Sequence, residues 1–237
     1  MLAQREKQIY LARLAEQAER YDEMADHMRH VVEAGGELTP EEGQMLSVAY
    51  KNKVGIQRAA WRVVDATMQK ETEVGHLEEA SYAAEYKKQA MFAGVRTCEE
   101  VLRMLETDLL PNATHQETRV FYLKMRADYY RYIAEFHPEI SECREKAQWA
   151  SQEAYAACQE GLSPTHPIRL GMCLSQAAFH CEILGQTSAA VQMGKKALDE
   201  ALTQIDDVPE EHYKDVVLIM SVLRDNLALW TTDMQSC

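Results

Sequence analysis

Apolar residues recur every three or four positions along nearly the whole chain, and no segment alternates with a period of two. The spacing predicts helices throughout and no strand. Near the N-terminus Leu11, Leu14, Ala15 and Ala18 form one stripe, followed by Tyr21, Met24, Ala25 and Met28. Each stripe gives its helix a single apolar face. Thr39-Pro40-Glu41-Glu42 combines an N-cap threonine, a proline at the first helical position and a capping-box glutamate, so a helix starts there after Gly35-Gly36 and runs to about Lys70. Pro111-Asn112, Pro138, Ser163-Pro164, Gly185 and Pro209 mark the later breaks. Short connections between long helices favour antiparallel neighbours, so the expected architecture is all-α, about nine helices with no separate second domain. A tetratricopeptide period is absent.

The last segment, 210–233, differs because its apolar residues go nearly all the way round. Val217, Met220, Leu223, Leu227 and Trp230 suit one layer, while Leu218, Val222, Asn226 and Leu229 line another side. A helix apolar on two sides is expected to contact two things.

The chain has 237 residues, 46% of them apolar, and a net charge of −13. That length supports a sizeable core, and the charge repels polyphosphate backbones, which argues against nucleic acid as a partner. No run suits a membrane span, and the start MLAQREKQIY lacks the apolar stretch of a secretory signal. The expected location is therefore the cytoplasm. Cys98, Cys143, Cys158, Cys173, Cys181 and Cys237 show no CxxC spacing, consistent with reduced thiols.

Two basic stripes stand out against this acidic background. In 124–132 Lys124, Asp128, Arg131 and Tyr132 share a helix face, and in 47–64 Lys51, Arg58 and Arg62 do the same. Charges at helical spacing are usually a solvated face. Here Tyr122, Leu123, Met125, Tyr129, Tyr130 and Ile133 surround the first stripe, so its charges need partners or a ligand. If the two helices face one another, Lys51, Arg58, Arg131 and the Tyr132 hydroxyl form an anion socket. Two guanidinium forks fit a phosphate ester better than a carboxylate. Asp128 is placed to orient an arginine, and Leu218, Val222 and Leu229 would supply an opposite, apolar wall.

Catalysis finds little support. His180, Cys181 and Glu182 are consecutive and point about 100° apart on a helix, so they form no relay. Asp22, Asp26 and His30, with His27 nearby, could be written as a metal stripe, but satisfied polar residues on a helix surface explain them better. Neither a catalytic set nor a cofactor is called for.

LARLAEQAERYDEMADHM (11–28), LSVAYKNKVG (46–55), VFYLKMRADYYRYIAE (120–135), SPTHPIRLG (163–171) and YKDVVLIMSVLRDNLALWTTD (213–233) stand together in one order and spacing. In these segments, which cover essentially the whole chain, the sequence closely resembles the 14-3-3 proteins. The resemblance implies a single domain of nine antiparallel helices forming a cup with an amphipathic groove. Helices in 1–70 would serve dimerisation and part of the phosphate site, and 75–233 the rest of the groove. It also implies an adaptor that clamps phosphoserine or phosphothreonine segments of client proteins. The alternative is a helical scaffold that binds unmodified segments.

By position, the resemblance assigns phosphate binding to Lys51, Arg58, Arg131 and Tyr132. It assigns main-chain clamping to Asn226 and the apolar wall to Leu174, Leu218, Ile219, Val222, Leu229 and Trp230, with Lys124 and Glu182 at other groove positions. Ser175 stands where the family has a second clamping asparagine, so the client's main chain is expected to be held less firmly, by about 1 kcal/mol. Ala178 replaces a larger aliphatic residue. For a homodimer, Leu14, Ala18, Ala60, Val64 and Tyr86 match the apolar seam, with Arg20 and Glu23 flanking it. Gln89 and Ala93 take the place of their charged partners, which implies a looser dimer, although Lys87 or Lys88 is near enough in sequence to reach Glu23.

Overall fold

The computed structural model describes the backbone of residues 2–236 and the side chains of 4–210 and 212–232. Cys237 lies outside the described residues. The chain is all-α, with no strand among those residues. It packs as two compact units, Met1–Ala113 and Thr114–Cys237. The turn between residues 70 and 77 lies inside the first unit.

The first unit holds α1 (Leu2–Gln17), α2 (Tyr21–Glu33), α3 (Pro40–Glu73) and α4 (Leu77–Met104). The capping box forms as expected: the Glu42 N–H donates to Thr39 Oγ1 at 3.3 Å and the Thr39 N–H to Glu42 Oε2 at 3.0 Å. Arg5 then clamps the same carboxylate at 2.8 and 2.7 Å, tying α1 to the start of α3. Gly35 and Gly36 sit at φ of 81° and 89°, a backbone that side-chain-bearing residues avoid, so the chain reverses there without strain. Met24, Ala25, Met28, Leu46 and Tyr50 fill the interior of this unit. The stripe on α1 is less buried than its spacing suggests, because Ala12 and Ala15 face the core while Leu14 and Ala18 stay exposed.

Past Met104 the helix widens into a π turn (Leu105–Leu109) and a last turn, Leu110–Asn112. Pro111 has no N–H for the carbonyl one turn back, and the widening falls just before it.

The second unit contains α5 (Gln116–Phe136), α6 (Ser141–Gly161), α7 (Pro167–Glu182), α8 (Thr187–Leu202) and α9 (Glu210–Ser236). Helix α7 packs against α5, α6, α8 and α9. Cys173 and Ala177 of α7 meet Ala190, Val191 and Ala197 of α8 and Leu223, Leu227 and Trp230 of α9. Gly194 allows the closest approach, since a Cβ there would lie 2.9 Å from Leu227 Cδ2. Val217 corrects one expectation. It is 43% exposed, and Val216 takes the buried place. No helix among the described residues is long and apolar enough to cross a membrane.

The start of α7 depends on a histidine. His166 Nδ1 accepts from the Ile168 N–H at 3.2 Å, while Nε2 lies 3.5 Å from Glu117 and the His212 ring centroid 6.1 Å away. Capping through Nδ1 requires the neutral imidazole. Burial holds His166 below its ordinary range, with Glu117 opposing and His212 reinforcing that shift. Its contribution to stability is therefore present above the ordinary histidine pKa and is lost as pH falls below it. As pH falls below about 6.5 the unfolding free energy is expected to decline, by about 1 kcal/mol at most for the loss of one cap. His166→Asn, which caps without titrating, should flatten that slope in urea titrations, and equal slopes would count against the cap.

Candidate functional site

Most of α5 is enclosed: Val120, Tyr122, Leu123, Met125, Ala127, Tyr129 and Phe136 are buried. Lys124, Asp128 and Arg131 nevertheless share one of its faces. Lys124 Nζ donates to Asp128 Oδ2 at 2.7 Å, and Gly171 on α7 leaves space for the lysine stem. Arg131 lies 3.6 Å from Asp128 Oδ1 and 3.9 Å from Glu182 Oε2, longer than hydrogen bonds. Its guanidinium stacks over the Tyr132 ring at 4.7 Å, and Tyr129 meets that ring edge-on at 5.5 Å.

Burial alone would push the Asp128 carboxyl up. Lys124 and Arg131, with hydrogen bonds from Lys124 and Ser175, outweigh it and hold the carboxyl below the usual range. Burial opposes the charge on Lys124 as well, yet Asp128 raises it. Arg131 is raised against burial by Tyr132, Asp128 and Glu182. All three groups are thus charged at neutral pH, in a stripe that is enclosed rather than solvated.

Beside this stripe α7 presents Leu174, Ser175 and Ala178, each half-buried. On α9 the second apolar side is open to solvent: Leu218 and Leu229 are exposed, as is Val222, and Ile219 and Asn226 are half-buried. Trp230 lies with Leu223 and Leu227, as the stripe along the helix implies, and not on the open row. It packs into the core of α7, α8 and α9.

In the first unit Lys51 is exposed and Arg58 half-buried, both on α3. The proposed seam residues Leu14, Ala18, Ala60 and Tyr86 are exposed and Val64 half-buried. They stand among further exposed apolar side chains, including Tyr10, Val63, Tyr82 and Phe92. Arg20 and Glu23 pair with each other three positions apart. Lys87 is held by Asp65 at 2.5 Å and lies over the Trp61 ring at 5.3 Å, while Lys88 is exposed.

Sequence spacing missed the inward hydroxyl of Ser175 and the group of Arg126, Glu153 and Trp149 on α5 and α6. There Arg126 bonds Glu153 and stacks over the indole at 4.7 Å. Both arrangements join separate helices, a relation that periodicity within one helix does not carry. The sulfur of Cys181 faces the Thr187 hydroxyl at 3.7 Å, and His180 bonds Gln186 at 3.0 Å, so each of these neighbours in sequence has its own partner.

Fold and site together describe an all-helical protein with an enclosed basic, aromatic face on one helix and an open apolar row on another. A family model described as 14-3-3 protein matches residues 11–231. A 14-3-3 protein of Eimeria tenella is 46% identical, over 98% of this chain and 89% of its own length. The 14-3-3 protein 7 of Solanum lycopersicum is 44% identical, over 99% and 94%. The checkpoint signal transducer rad24 of Schizosaccharomyces pombe is 46% identical, over 98% and 86%. The chain belongs to the 14-3-3 family of adaptor and signalling proteins.

Removing the carboxylate at the centre of the stripe would leave two enclosed cations without their shared partner. Asp128→Ala is expected to lower stability by about 1–3 kcal/mol, read as a lower denaturant midpoint at unchanged m.

Proposed function

We propose that this chain binds phosphoserine- and phosphothreonine-containing segments of client proteins and acts as an adaptor in signalling. Lys51, Arg58, Arg131 and Tyr132 take the phosphate, and Asn226 with the open row of α9 and Leu174 takes the extended chain beside it. One observation carries this reading. Arg131 is enclosed, yet its nearest carboxylates lie at 3.6 and 3.9 Å, so a stacked, pre-oriented guanidinium keeps donors for an incoming oxyanion. A phosphate ester, with a charge of about −1.5 to −2, rewards such a fork more than a carboxylate does. The exposed apolar row on α9 suits side chains of the client on either side of the phosphate. Checkpoint signalling by the Schizosaccharomyces pombe relative agrees with an adaptor role.

A homodimer is part of the same reading. Leu14, Ala18, Ala60, Val64 and Tyr86 form its seam, and Tyr86 is 61% exposed in the single chain. Exposed ion pairs contribute about 0–1 kcal/mol each, so the loss of charged partners at Gln89 and Ala93 weakens the seam less than loss of its apolar area would.

Calorimetry with a phosphorylated peptide and its unphosphorylated twin tests the binding. The phosphorylated form is expected to bind at least about tenfold tighter, and Arg58→Ala or Arg131→Ala to lose about 1.5–3 kcal/mol of that binding. Equal binding of both peptides would instead favour a scaffold for unmodified segments. Sedimentation at low micromolar concentration is expected to show a dimer, and a purely monomeric species would overturn that part.

A further inference from the structure

A cavity of about 10 Å³ lies between α5, α6 and α7, walled by Asp128 and Arg131 of α5, Ser151 of α6 and Ser175 of α7. Met172 and Phe179 close its apolar side. A space of about this size accommodates one water when enough polar groups surround it. Four polar side chains line this one. Arg131, moreover, has a buried Nε with no hydrogen-bond partner among the described residues, and an orphaned donor on an enclosed cation is costly.

Ser175 occupies an unusual place in this arrangement. Its hydroxyl lines the cavity beside Asp128, on whose charged form it acts as a donor, and that carboxylate also receives Lys124 and stands nearest to Arg131. Lys124 and Arg131 approach Asp128 from its own helix, whereas Ser175 approaches from α7. A donor on a second helix fixes the carboxylate against rotation, and serine is short enough to leave the cavity beside it.

We propose that Ser175 is a positioning residue for Arg131: its hydroxyl anchors Asp128, and with Ser151 it holds one ordered water against the arginine Nε. On this account Ser175 faces inward to the phosphate-binding cation instead of outward to the client's main chain. The claim rests on the proposed function only for its affinity arm.

Carbon-13 NMR of the Asp128 carboxyl, titrated in the intact chain without ligand, is the direct test. Ser175→Ala is expected to raise the Asp128 midpoint, because a donor to the charged form is lost, and to weaken phosphopeptide binding about fivefold. Ser175→Thr keeps the hydroxyl and is expected to restore both. An unchanged Asp128 midpoint in Ser175→Ala overturns the anchor. A raised midpoint with unchanged affinity overturns the positioning of Arg131. The nitrogen-15 resonance of Arg131 Nε is expected to move in Ser151→Ala, and a resonance that stays in place in both alanine variants overturns the water. Failure of Arg131→Ala to abolish phosphate dependence would remove the proposed function and leave the titration arm standing.

Discussion

The face that α5 shares with α6 and α7 is arranged around an enclosed triplet of charges on α5. Lys124, Asp128 and Arg131 sit on a helix otherwise occupied by aromatic and aliphatic side chains, where water is scarce. Two opposite charges about 4 Å apart interact by about 4 kcal/mol at an effective dielectric of 20, an attraction that works against the cost of burial and favours the charged form of each group. The consequence is geometric. A carboxylate that must serve two cations cannot swing away, and each cation is held near the position it needs. Tyr132 adds a flat ring under the Arg131 guanidinium, which limits that group to motion in its own plane.

Much of the architecture was legible because helix signals are local. The Thr39–Glu42 capping box, the glycine pair after α2 and the prolines before later helices each specify a boundary within a few residues, and the structure places boundaries beside them. The charged face of α5 was legible for the same reason, as i, i+4 and i+7 positions lie on one side of any helix. What stayed hidden was relational. Which valine of α9 is buried depends on how far that helix rotates against α7 and α8, and the difference between Val216 and Val217 is one step of 100°. The inward hydroxyl of Ser175, the stacking of Arg126 on Trp149 and the pairing of Lys87 with Asp65 likewise depend on which helices are neighbours. The π turn before Pro111 had a visible cause, but its length follows from packing of Leu105 and Leu109, both buried.

Two kinds of surface divide the apolar exposure of the chain. In the first unit it is scattered over α1, α3 and α4, with aromatic residues such as Tyr82, Tyr86 and Phe92 prominent. In the second it is concentrated along α9, where Leu218 is 64% and Leu229 59% exposed. Broad aromatic exposure suits a partner with a preformed face, while a single aliphatic row suits a narrow, extended one.

The open row on α9 also bears on the behaviour of the protein in solution. A net charge of −13 makes copies repel one another at low ionic strength and keeps these leucines from meeting. Concentrated salt shortens that repulsion to about 3 Å at 1 M while strengthening the attraction between apolar side chains. Concentrated salt would therefore favour contacts between copies along this exposed row.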